Sequence, residues 1–430
     1  MTIIEEKYIK THAKSANLAK SAALIFPDGV THNGRKFKPF PICMDKASGS
    51  LKWDVDGNQY IDYRGGHGAL ILGHSDPRIV QAVSAQMTKG THLSAASRLE
   101  IMWAQLVNKL VPCSEKVRFL NSGTEAVMMS FRMARAYTGK QKIIKFQDGF
   151  HGWYDQAVVG TASDNVNSGI TDGARNSMIV VPLNDIDAFE EILNKDDDIA
   201  GVVFQADAIV RPELIQQVKD IVNHHKAIFI LDEVVSGFRW AKGGFQDRFD
   251  VVPDLCTLSK ILCGGLPGSA VAGRADIMDT IKPGKVAHPG TFNANPLSAT
   301  AGTKTLEIIA SNPINEIADE RAEQLKKGIC HVLHTMGIDG CAYGISSIVK
   351  VRIGIKHECD KTFCILPTGN DSEGITDEVT HLLDVGLINN GIYSRSNAFI
   401  LSAAHTKDDV DRTVVEYAKT LREARSLGAL

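Results

Sequence analysis

The sequence lacks the features that would mark a membrane, secreted or nucleic-acid-binding protein. No apolar run approaches the roughly 20 residues needed to span a bilayer. We expect no secretory signal, because the first residues, MTIIEEKYIK, do not place an apolar run after a basic one. The formal net charge of -3 gives no general attraction for nucleic acid or an anionic membrane. We therefore expect neither as a partner.

The eight cysteines are few for a chain of this length and are widely spaced. None forms a C-x-x-C pair, and no two Cys/His clusters have zinc-finger spacing, so we expect no metal site. Cysteines at this density in a long chain are typical of reduced thiols. We therefore expect a cytoplasmic protein.

Length and composition indicate an ordinary globular protein with more than one domain. The chain has 430 residues, of which 44% are hydrophobic and 23% charged. Residues 1–26 have a helical pattern that ends at Pro27-Asp28-Gly29. Two short alternating runs then flank Asp56-Gly57-Asn58, which predicts a β-hairpin.

Strand-like and helix-like segments alternate from about residue 100. The strand candidates are KIIKF (142–146), MIVV (178–181), AGVVFQ (200–205), AIFILD (227–232) and LCTLS (255–259). Strands separated by helices predict an α/β fold with a mainly parallel sheet flanked by helices. We expect a large α/β domain over residues 71–295. Residues 1–70 and 296–430, the two chain ends, should form a smaller α+β domain.

A possible phosphate cradle follows the apolar run VRFL, at Asn121-Ser122-Gly123-Thr124-Glu125. Ser122 can cap a helix whose first N–H groups have no partner within the helix. Gly123 would let an anion approach the backbone, and Ser122 and Thr124 could donate from their hydroxyls. The alternative is an ordinary helix cap in which Glu125 favours the helix dipole.

A carboxylate, Asp232, ends the apolar run AIFILD. Burying it is costly unless it is paired, and a pyridinium N–H is a suitable partner. The alternatives are a structural aspartate bonded to the backbone or to Arg239, and a metal ligand.

A lysine, Lys260, ends the next strand candidate and precedes Gly264-Gly265. Partial burial would lower the pKa of its amine and make it nucleophilic toward aldehydes. The alternative is a surface lysine at a strand end. In this order, the cradle, Asp232 and a lysine 28 residues later indicate a pyridoxal-phosphate site.

Five motifs carry a resemblance to a known family. They are NSGTEA, FQDGFHGW, LDEVVSGFR, LSKILCGGLPGSAVAGR and HPGTFNANPLSATAG. In this order they resemble the class III, fold-type I aminotransferases, which depend on pyridoxal phosphate. The glutamate-1-semialdehyde 2,1-aminomutase-like branch is the most similar. The resemblance extends from about Pro27 to about His405.

The resemblance implies a role for each matching residue. Lys260 would form the Schiff base and shuttle protons, and Asp232 would pair with the pyridine nitrogen. Val234 and Phe150 would pack on the two faces of the ring. The expected phosphate ligands are Ser122, Gly123 and Thr124, with Thr291 reaching the phosphate of the neighbouring subunit. This last role implies a homodimer with shared active sites.

The resemblance also suggests how a substrate carboxylate is held. Arg35 matches an arginine of the aminomutase branch, and Arg395 is a second candidate whose alternative is a surface arginine. For His151 we expect a structural role. Two departures argue against the mutase reaction. Gln205-Ala206 stands where relatives have Glu-Pro, and Asn397 stands where aminomutases have glutamate.

These expectations converge on an aminotransferase. It would move an amino group between a small carboxylate-bearing amine and a carbonyl acceptor. The alternative enzyme is an aminomutase of the glutamate-1-semialdehyde type, which transfers the amine within one molecule. A more remote alternative is a non-catalytic protein that keeps the fold for binding.

Overall fold

The computed structural model describes residues 1–161, 168–183, 185–207, 210–356, 359–364 and 374–430. The strands in these residues are β1 (Met44–Ser48), β2 (Leu51–Asp54), β3 (Gln59–Asp62), β4 (Lys116–Leu120), β5 (Lys142–Phe146), β6 (Met178–Val181), β7 (Ile199–Gln205), β8 (Ile228–Asp232), β9 (Leu255–Leu258), β10 (Ser269–Gly273), β11 (Gly340–Tyr343), β12 (Ile348–Ile353), β13 (Ile392–Tyr393) and β14 (Ala398–Ile400). The helices are α1 (Ile3–Thr11), α2 (Ala13–Ile25), α3 (Gly65–Gly68), α4 (Pro77–Met87), α5 (Arg98–Leu110), α6 (Gly123–Thr138), α7 (Asp155–Val158), α8 (Asp172–Asn176), α9 (Ile186–Lys195), α10 (Pro212–His224), α11 (Phe245–Phe249), α12 (Ala275–Met278), α13 (Pro296–Ser311), α14 (Ile314–Thr335), α15 (Asp377–Asn389) and α16 (Lys407–Ser426).

One compact unit, Gly68–Leu70 with Pro77–Asn315, contains a seven-stranded sheet in the order β4-β10-β9-β8-β7-β5-β6. Strands β5 to β9 pair in parallel, whereas β10 pairs antiparallel with both β4 and β9. The α/β fold with a mainly parallel sheet is confirmed. We did not predict β10 as a strand.

The strands of this sheet form because their residues are apolar enough to be buried on both faces. All five residues of β8 are buried, and six of the seven in β7 are. Helix α6 begins after its cap Ser122 and ends at Gly139, whose φ of 75° suits a left-handed helix end. The predicted strands and this helix end are confirmed, with shifts of one residue at most.

The other compact unit combines both chain ends, Met1–His67, Ile71–Asp76 and Glu316–Leu430. Its described residues form two sheets, in the orders β1-β2-β3-β13 and β11-β12-β14. Strands β2 and β3 form the predicted antiparallel hairpin. The predicted N-terminal helix is two helices, which separate at His12, where the backbone leaves the helical region. The His12 Nε2 atom lies 2.7 Å from the Tyr60 hydroxyl.

The division between the units differs from the predicted boundary at residue 295. Helix α13 packs against α4 and α5, so it lies with the large sheet, and this unit continues to Asn315. The residues of α13 are largely buried. The sequence pattern alone assigned this segment to a linking helix. Among the described residues, no helix has both the length and the apolar character needed to cross a bilayer.

Candidate active site

Three of the predicted features lie at one edge of the seven-stranded sheet. Strands β8 and β9 run parallel, and β10 runs antiparallel to both β9 and β4. Strand β4 therefore runs in the same direction as β8 and β9. The carboxyl ends of these three strands meet at one edge, where open α/β sheets bind ligands. Ser122 follows β4, Asp232 ends β8 and Lys260 follows β9.

Gly123 shows how closely the three segments approach one another. A Cβ atom placed on Gly123 would lie 3.2 Å from both methyl groups of Val234 and 3.7 Å from the Cβ of Ser259. Val234 is two residues after Asp232, and Ser259 immediately precedes Lys260. The structure therefore brings together the cradle, the aspartate and the lysine that the sequence placed far apart.

The buried Asp232 carboxylate accepts three hydrogen bonds. Its Oδ1 accepts from the Val234 N–H at 3.0 Å and from the Thr257 hydroxyl at 3.1 Å. Its Oδ2 lies 2.7 Å from Nδ1 of His151, which is also buried. These donors stabilise the ionised carboxylate in a buried position. Arg239, the alternative partner considered for Asp232, donates from Nη2 to the Gly68 carbonyl at 2.6 Å.

His151 is therefore a site residue that sequence reasoning undervalued. We expected only a structural role for it, and it contacts Asp232 directly. Its place beside Phe150 in the FQDGFHGW motif was the available signal. Glu233 was also missed. It is fully buried, and its carboxylate accepts from the Ser236 hydroxyl and the Phe245 N–H, both at 2.7 Å. These bonds fix the turn that follows Asp232.

Lys260 occupies a strained position at the end of β9. Its φ of 50° lies in the left-handed region, which is uncommon for lysine and occurs at functional sites. Burial lowers the pKa of its amine, the Asp232 carboxylate opposes this, and the Arg239 guanidinium lowers it further. Within the described part of the chain, no hydrogen bond or ion pair to Lys260 Nζ is found. The amine is thus available for chemistry.

The helix cap and the anion cradle are both present at the start of α6. The Ser122 hydroxyl accepts from the Glu125 N–H at 3.2 Å and donates to the Glu125 carboxylate at 3.0 Å. The same carboxylate accepts from the Asn121 N–H at 2.9 Å. These bonds fix the loop. Among the described residues, the N–H groups of Gly123 and Thr124 have no hydrogen-bond acceptor, and such groups bind anions.

The loop of residues 149–152 packs beside this cradle. A Cβ atom on Gly152 would lie 2.6 Å from the Thr124 Oγ1. The Phe150 side chain is 63% exposed, and its N–H donates to Gln205 Oε1 at 2.9 Å. Gln205 in turn is the register partner of Asp232 in the sheet. The residue that departs from the Glu-Pro pattern of relatives thus anchors the loop that carries Phe150 and His151.

Thr291 lies in an exposed segment of the same unit. Its carbonyl is 2.6 Å from His92 Nε2, and its side chain is exposed. The neighbouring Asn293 connects this segment to the cradle, because its Oδ1 accepts from Asn121 Nδ2 at 3.0 Å.

The two candidate carboxylate ligands lie in the unit made by the chain ends. Arg35 and Arg395 line one cavity of about 650 Å³. The exposed Arg35 donates from Nη1 to the Thr31 hydroxyl at 2.8 Å. Arg395 lies over the Phe37 ring at 4.7 Å, and its Nε is 3.5 Å from Asp384 Oδ2. Arg395 is therefore partly neutralised, whereas in the described residues no carboxylate pairs with Arg35.

The residues at the sheet edge fit pyridoxal phosphate. A carboxylate can accept about four hydrogen bonds, and Asp232 has three donors in the described residues, so a pyridine N–H can be the fourth. Lys260 offers an amine for the aldehyde, and no described residue forms a hydrogen bond or ion pair with its Nζ. The first turn of α6 offers N–H groups for the phosphate.

Comparisons with known proteins agree with this geometry. Residues 33–338 match the family described as aminotransferase class-III. The chain is 35% identical to the glutamate-1-semialdehyde 2,1-aminomutase of Methanopyrus kandleri over 95% of its own length and 97% of that protein.

Two solved structures are similar over nearly the whole chain. An omega-transaminase from Sphaerobacter thermophilus has a TM-score of 0.85 and 30% identity, covering 96% of this chain and 98% of that one. A structure described as a transaminase with pyridoxal phosphate bound has a TM-score of 0.87 and 27% identity, covering 97% and 99%. With the site geometry, these findings establish that the chain belongs to the class III aminotransferase family and is a pyridoxal-phosphate-dependent enzyme.

Proposed function

We propose that this protein is an aminotransferase that moves an amino group between a small carboxylate-bearing amine and a carbonyl acceptor. One observation carries the proposal. Gly123 is in contact range of Val234 and Ser259. This approach places an anion cradle, the paired Asp232 carboxylate and the Lys260 amine at one edge of the sheet. When bound, pyridoxal phosphate supplies an electron sink that lets a Cα–H bond of the substrate break.

Lys260 is the proposed catalytic base and the residue that attaches the cofactor. A base must be neutral to accept a proton, and burial lowers the pKa of the Lys260 amine. Its Nζ would take the proton from the substrate Cα and deliver it to the cofactor carbon within the same half of the transfer. With the carbonyl acceptor it would move a proton in the reverse direction. Its position after β9 keeps the amine at the edge where the other groups meet.

Asp232 is proposed to hold the pyridine N–H, and the protein around it preserves the negative charge this requires. Thr257, His151 and the Val234 N–H all donate to the carboxylate and fix its position for this contact. Val234 and Phe150 are the proposed packing residues for the two ring faces. Ser122, Gly123 and Thr124 are the proposed phosphate ligands.

Arg35 is the proposed main ligand of the substrate carboxylate, with Arg395 as the second candidate. A guanidinium can hold a carboxylate through two parallel hydrogen bonds. Arg35 is better suited because in the described residues its charge is not balanced by an acid, whereas Arg395 lies beside Asp384.

An aminomutase is the second candidate, supported by the name of the Methanopyrus kandleri relative. Two residues favour the aminotransferase. Gln205 replaces an acid and is committed to the Phe150 N–H. Asn397, where aminomutases have glutamate, is buried, and its Oδ1 accepts from the Tyr417 hydroxyl at 3.4 Å. Neither residue supplies a titratable group.

The two reactions differ in their need for an acceptor. The purified holoenzyme should be incubated with carboxylate-bearing amines, with and without an added 2-oxo acid, and the products separated by chromatography. We expect the new amino acid to form only with the acceptor. Conversion of glutamate-1-semialdehyde alone into its isomer, at a rate that added acceptor does not change, would instead identify the aminomutase.

We also propose a homodimer with shared active sites, in which Thr291 binds the phosphate of the partner subunit. Exposed apolar side chains on the large-sheet unit support an interface. They include Leu93, Trp153 and Phe292. Analytical ultracentrifugation should show a dimer, and an active monomer would refute the proposal.

We propose a cytoplasmic location, since no disulfide joins any of the eight cysteines, all within the described residues.

A further inference from the structure

Three cysteines that are distant in the sequence meet in the unit formed by the chain ends. Cys341 lies in β11, and Cys359 and Cys364 follow β12. Their sulfur atoms all lie within 4.8 Å of one another, and those of Cys341 and Cys364 are 3.8 Å apart. Cys341 and Cys364 are buried, whereas Cys359 is half-buried. The cluster therefore has one side that a small ion can reach.

The spacing between the Cys341 and Cys364 sulfurs matches one edge of a tetrahedral metal site, and all three sulfurs lie within 4.8 Å of one another. Zinc–thiolate bonds of about 2.3 Å place the sulfur atoms of a tetrahedron about 3.8 Å apart. A disulfide would use two of these sulfurs and leave the third without a function. Three mutually close sulfurs instead offer a complete triangle of ligands to one ion.

The turn that carries Cys359 and Cys364 is fixed by bonds that do not involve a metal. The Asp360 carboxylate accepts from the N–H groups of Thr362 at 2.8 Å and Phe363 at 2.6 Å. The Lys361 carbonyl accepts from the Gly344 N–H at 3.1 Å. The cysteines are therefore held near one another before any ion binds, which lowers the entropic cost of binding.

The backbone of this turn also contacts the Cys359 sulfur. The Lys361 N–H donates to the Cys359 sulfur at 3.4 Å. This contact helps to fix the position of the Cys359 sulfur within the cluster. Lys361 has a φ of 66°, so the turn adopts an uncommon conformation for a residue other than glycine.

A buried cation lies on the same face of the sheet as Cys341. Cys341 is the register partner of Arg352, and directly paired residues of antiparallel strands point to the same face. Arg352 is 7% exposed, and its Nη2 lies 3.4 Å from the hydroxyl of Tyr343, two residues beyond Cys341. Three thiolates and one divalent ion carry a net charge of -1, which a guanidinium can balance.

We propose that Cys341, Cys359 and Cys364 form a binding site for Zn²⁺, with water as the fourth ligand. Thiolates are soft ligands, and zinc accepts three of them in tetrahedral sites. The site is separate from the residues assigned to pyridoxal phosphate. The spacing C-x17-C-x4-C, which resembles no zinc-finger pattern, explains why we expected no metal site from the sequence.

The test uses the full-length holoenzyme, purified in reducing buffer, stripped with a chelator and titrated with Zn²⁺. Bound zinc would be measured by mass spectrometry after gel filtration. We expect one zinc per chain and, with Co²⁺ in its place, the visible d–d bands of a tetrahedral thiolate site. Cys341→Ser, Cys359→Ser and Cys364→Ser should each weaken zinc binding more than about 100-fold, since losing even an outer-shell partner costs 10–100-fold.

Cys330→Ser is the matched control. The Cys330 sulfur accepts from the Ala342 N–H at 3.3 Å, one residue along β11 from Cys341, and is not one of the three clustered sulfurs. This variant should bind zinc normally. Cys359→Ser is the variant least expected to disturb folding because Cys359 is half-buried, and circular dichroism would verify its fold. Absence of stoichiometric zinc, or equal zinc binding by Cys359→Ser and Cys330→Ser, would overturn the proposal.

Discussion

The Nδ1 atom of His151 lies 2.7 Å from Oδ2 of Asp232, and both side chains are buried. An ionised carboxylate offers only acceptors, so Nδ1 must carry a proton in this contact. His151 therefore supports the charge on Asp232 from the side opposite the Oδ1 atom that binds Thr257 and Val234. Hydrogen bonds to charged groups are worth roughly 1.5–3 kcal/mol, enough to affect catalysis.

We predict that His151→Ala lowers the rate of amino transfer by about 10–100-fold, the equivalent of one hydrogen bond to a charged group. The cause is that Asp232 loses the hydrogen bond from His151. The variant should therefore also shift the pH dependence of the cofactor absorbance, which a purely structural effect would not do. The control is His331→Ala, at an exposed position of α14. If both variants have the same rate and spectrum, His151 does not support Asp232.

Lys260 can be distinguished from the buried lysine Lys145. Burial lowers the pKa of Lys145 to about 8, but its Nζ donates to the Ala157 carbonyl at 2.8 Å and is thus engaged. We predict that Lys260→Ala abolishes turnover and that Lys145→Met does not. After borohydride reduction, mass spectrometry should find cofactor attached to the wild type and to Lys145→Met only. Cofactor retained covalently by Lys260→Ala would contradict the assignment.

Gly152 is required for the approach of the loop to the cradle. Its φ is 103°, and an added Cβ would lie 2.6 Å from Thr124 Oγ1 and 2.9 Å from Thr124 Cα. We predict that Gly152→Ala weakens cofactor binding about tenfold or more, since the unfavourable φ alone costs roughly 1–2 kcal/mol. Fluorescence titration with pyridoxal phosphate would measure this. Gly173→Ala is the control because its Cβ would contact nothing within 4 Å. Equal affinities would show that the loop does not shape the cradle.

The sequence predicted those parts of the site that depend on local pattern. Asp232 and Lys260 each end an apolar strand, and parallel strands place such residues at one edge. The contact between His151 and Asp232 joins residues 81 positions apart, and it depends on the path of a loop that no periodicity describes.

The cysteine cluster could not be predicted from the sequence for the same reason. Cys341 meets Cys364 only because of the β11–β12 register and the turn at Lys361. Neither feature can be recognised from the spacing of the cysteines.

Asp384 makes the stability of the protein depend on pH in an unusual direction. Burial raises the pKa of Asp384 to about 6, although the Ser396 N–H and the Arg395 guanidinium oppose this. The pKa of an aspartate in an unfolded chain is about 3.9. Between about pH 4 and pH 6 the folded state therefore binds more protons than the unfolded state, and stability falls as pH rises.

We predict that Asp384→Asn removes this loss of stability between about pH 4 and pH 6. The loss is on the order of 3 kcal/mol when the pKa is raised by about two pH units. Chemical denaturation of wild type and variant at pH 4, 5 and 6 would give the difference in their unfolding free energies. This difference should increase with pH in favour of the variant. A difference that is constant over this range would mean that Asp384 has an ordinary pKa.

Arg35 is the subject of the last prediction, because recognition of a carboxylate must come from a specific local cation in a chain of net charge -3. In the described residues, Arg35 has one hydrogen-bond acceptor, the Thr31 hydroxyl, so most of its five N–H donors remain for a ligand. Arg395 faces the same cavity, but its guanidinium lies on Phe37 and beside Asp384.

Lysine would keep the charge at position 35 and lose the planar fork that binds both carboxylate oxygens. We predict that Arg35→Lys raises KM for a carboxylate-bearing amine about 10–100-fold, the equivalent of one charged hydrogen bond, with little change for a matched amine without the carboxylate. Arg395→Lys is the comparison, and its effect on this ratio should be smaller. If Arg35→Lys changes both substrates alike while Arg395→Lys separates them, the carboxylate is held by Arg395. Because Asp384 lies beside that guanidinium, such a result would also make substrate affinity depend on pH near 6.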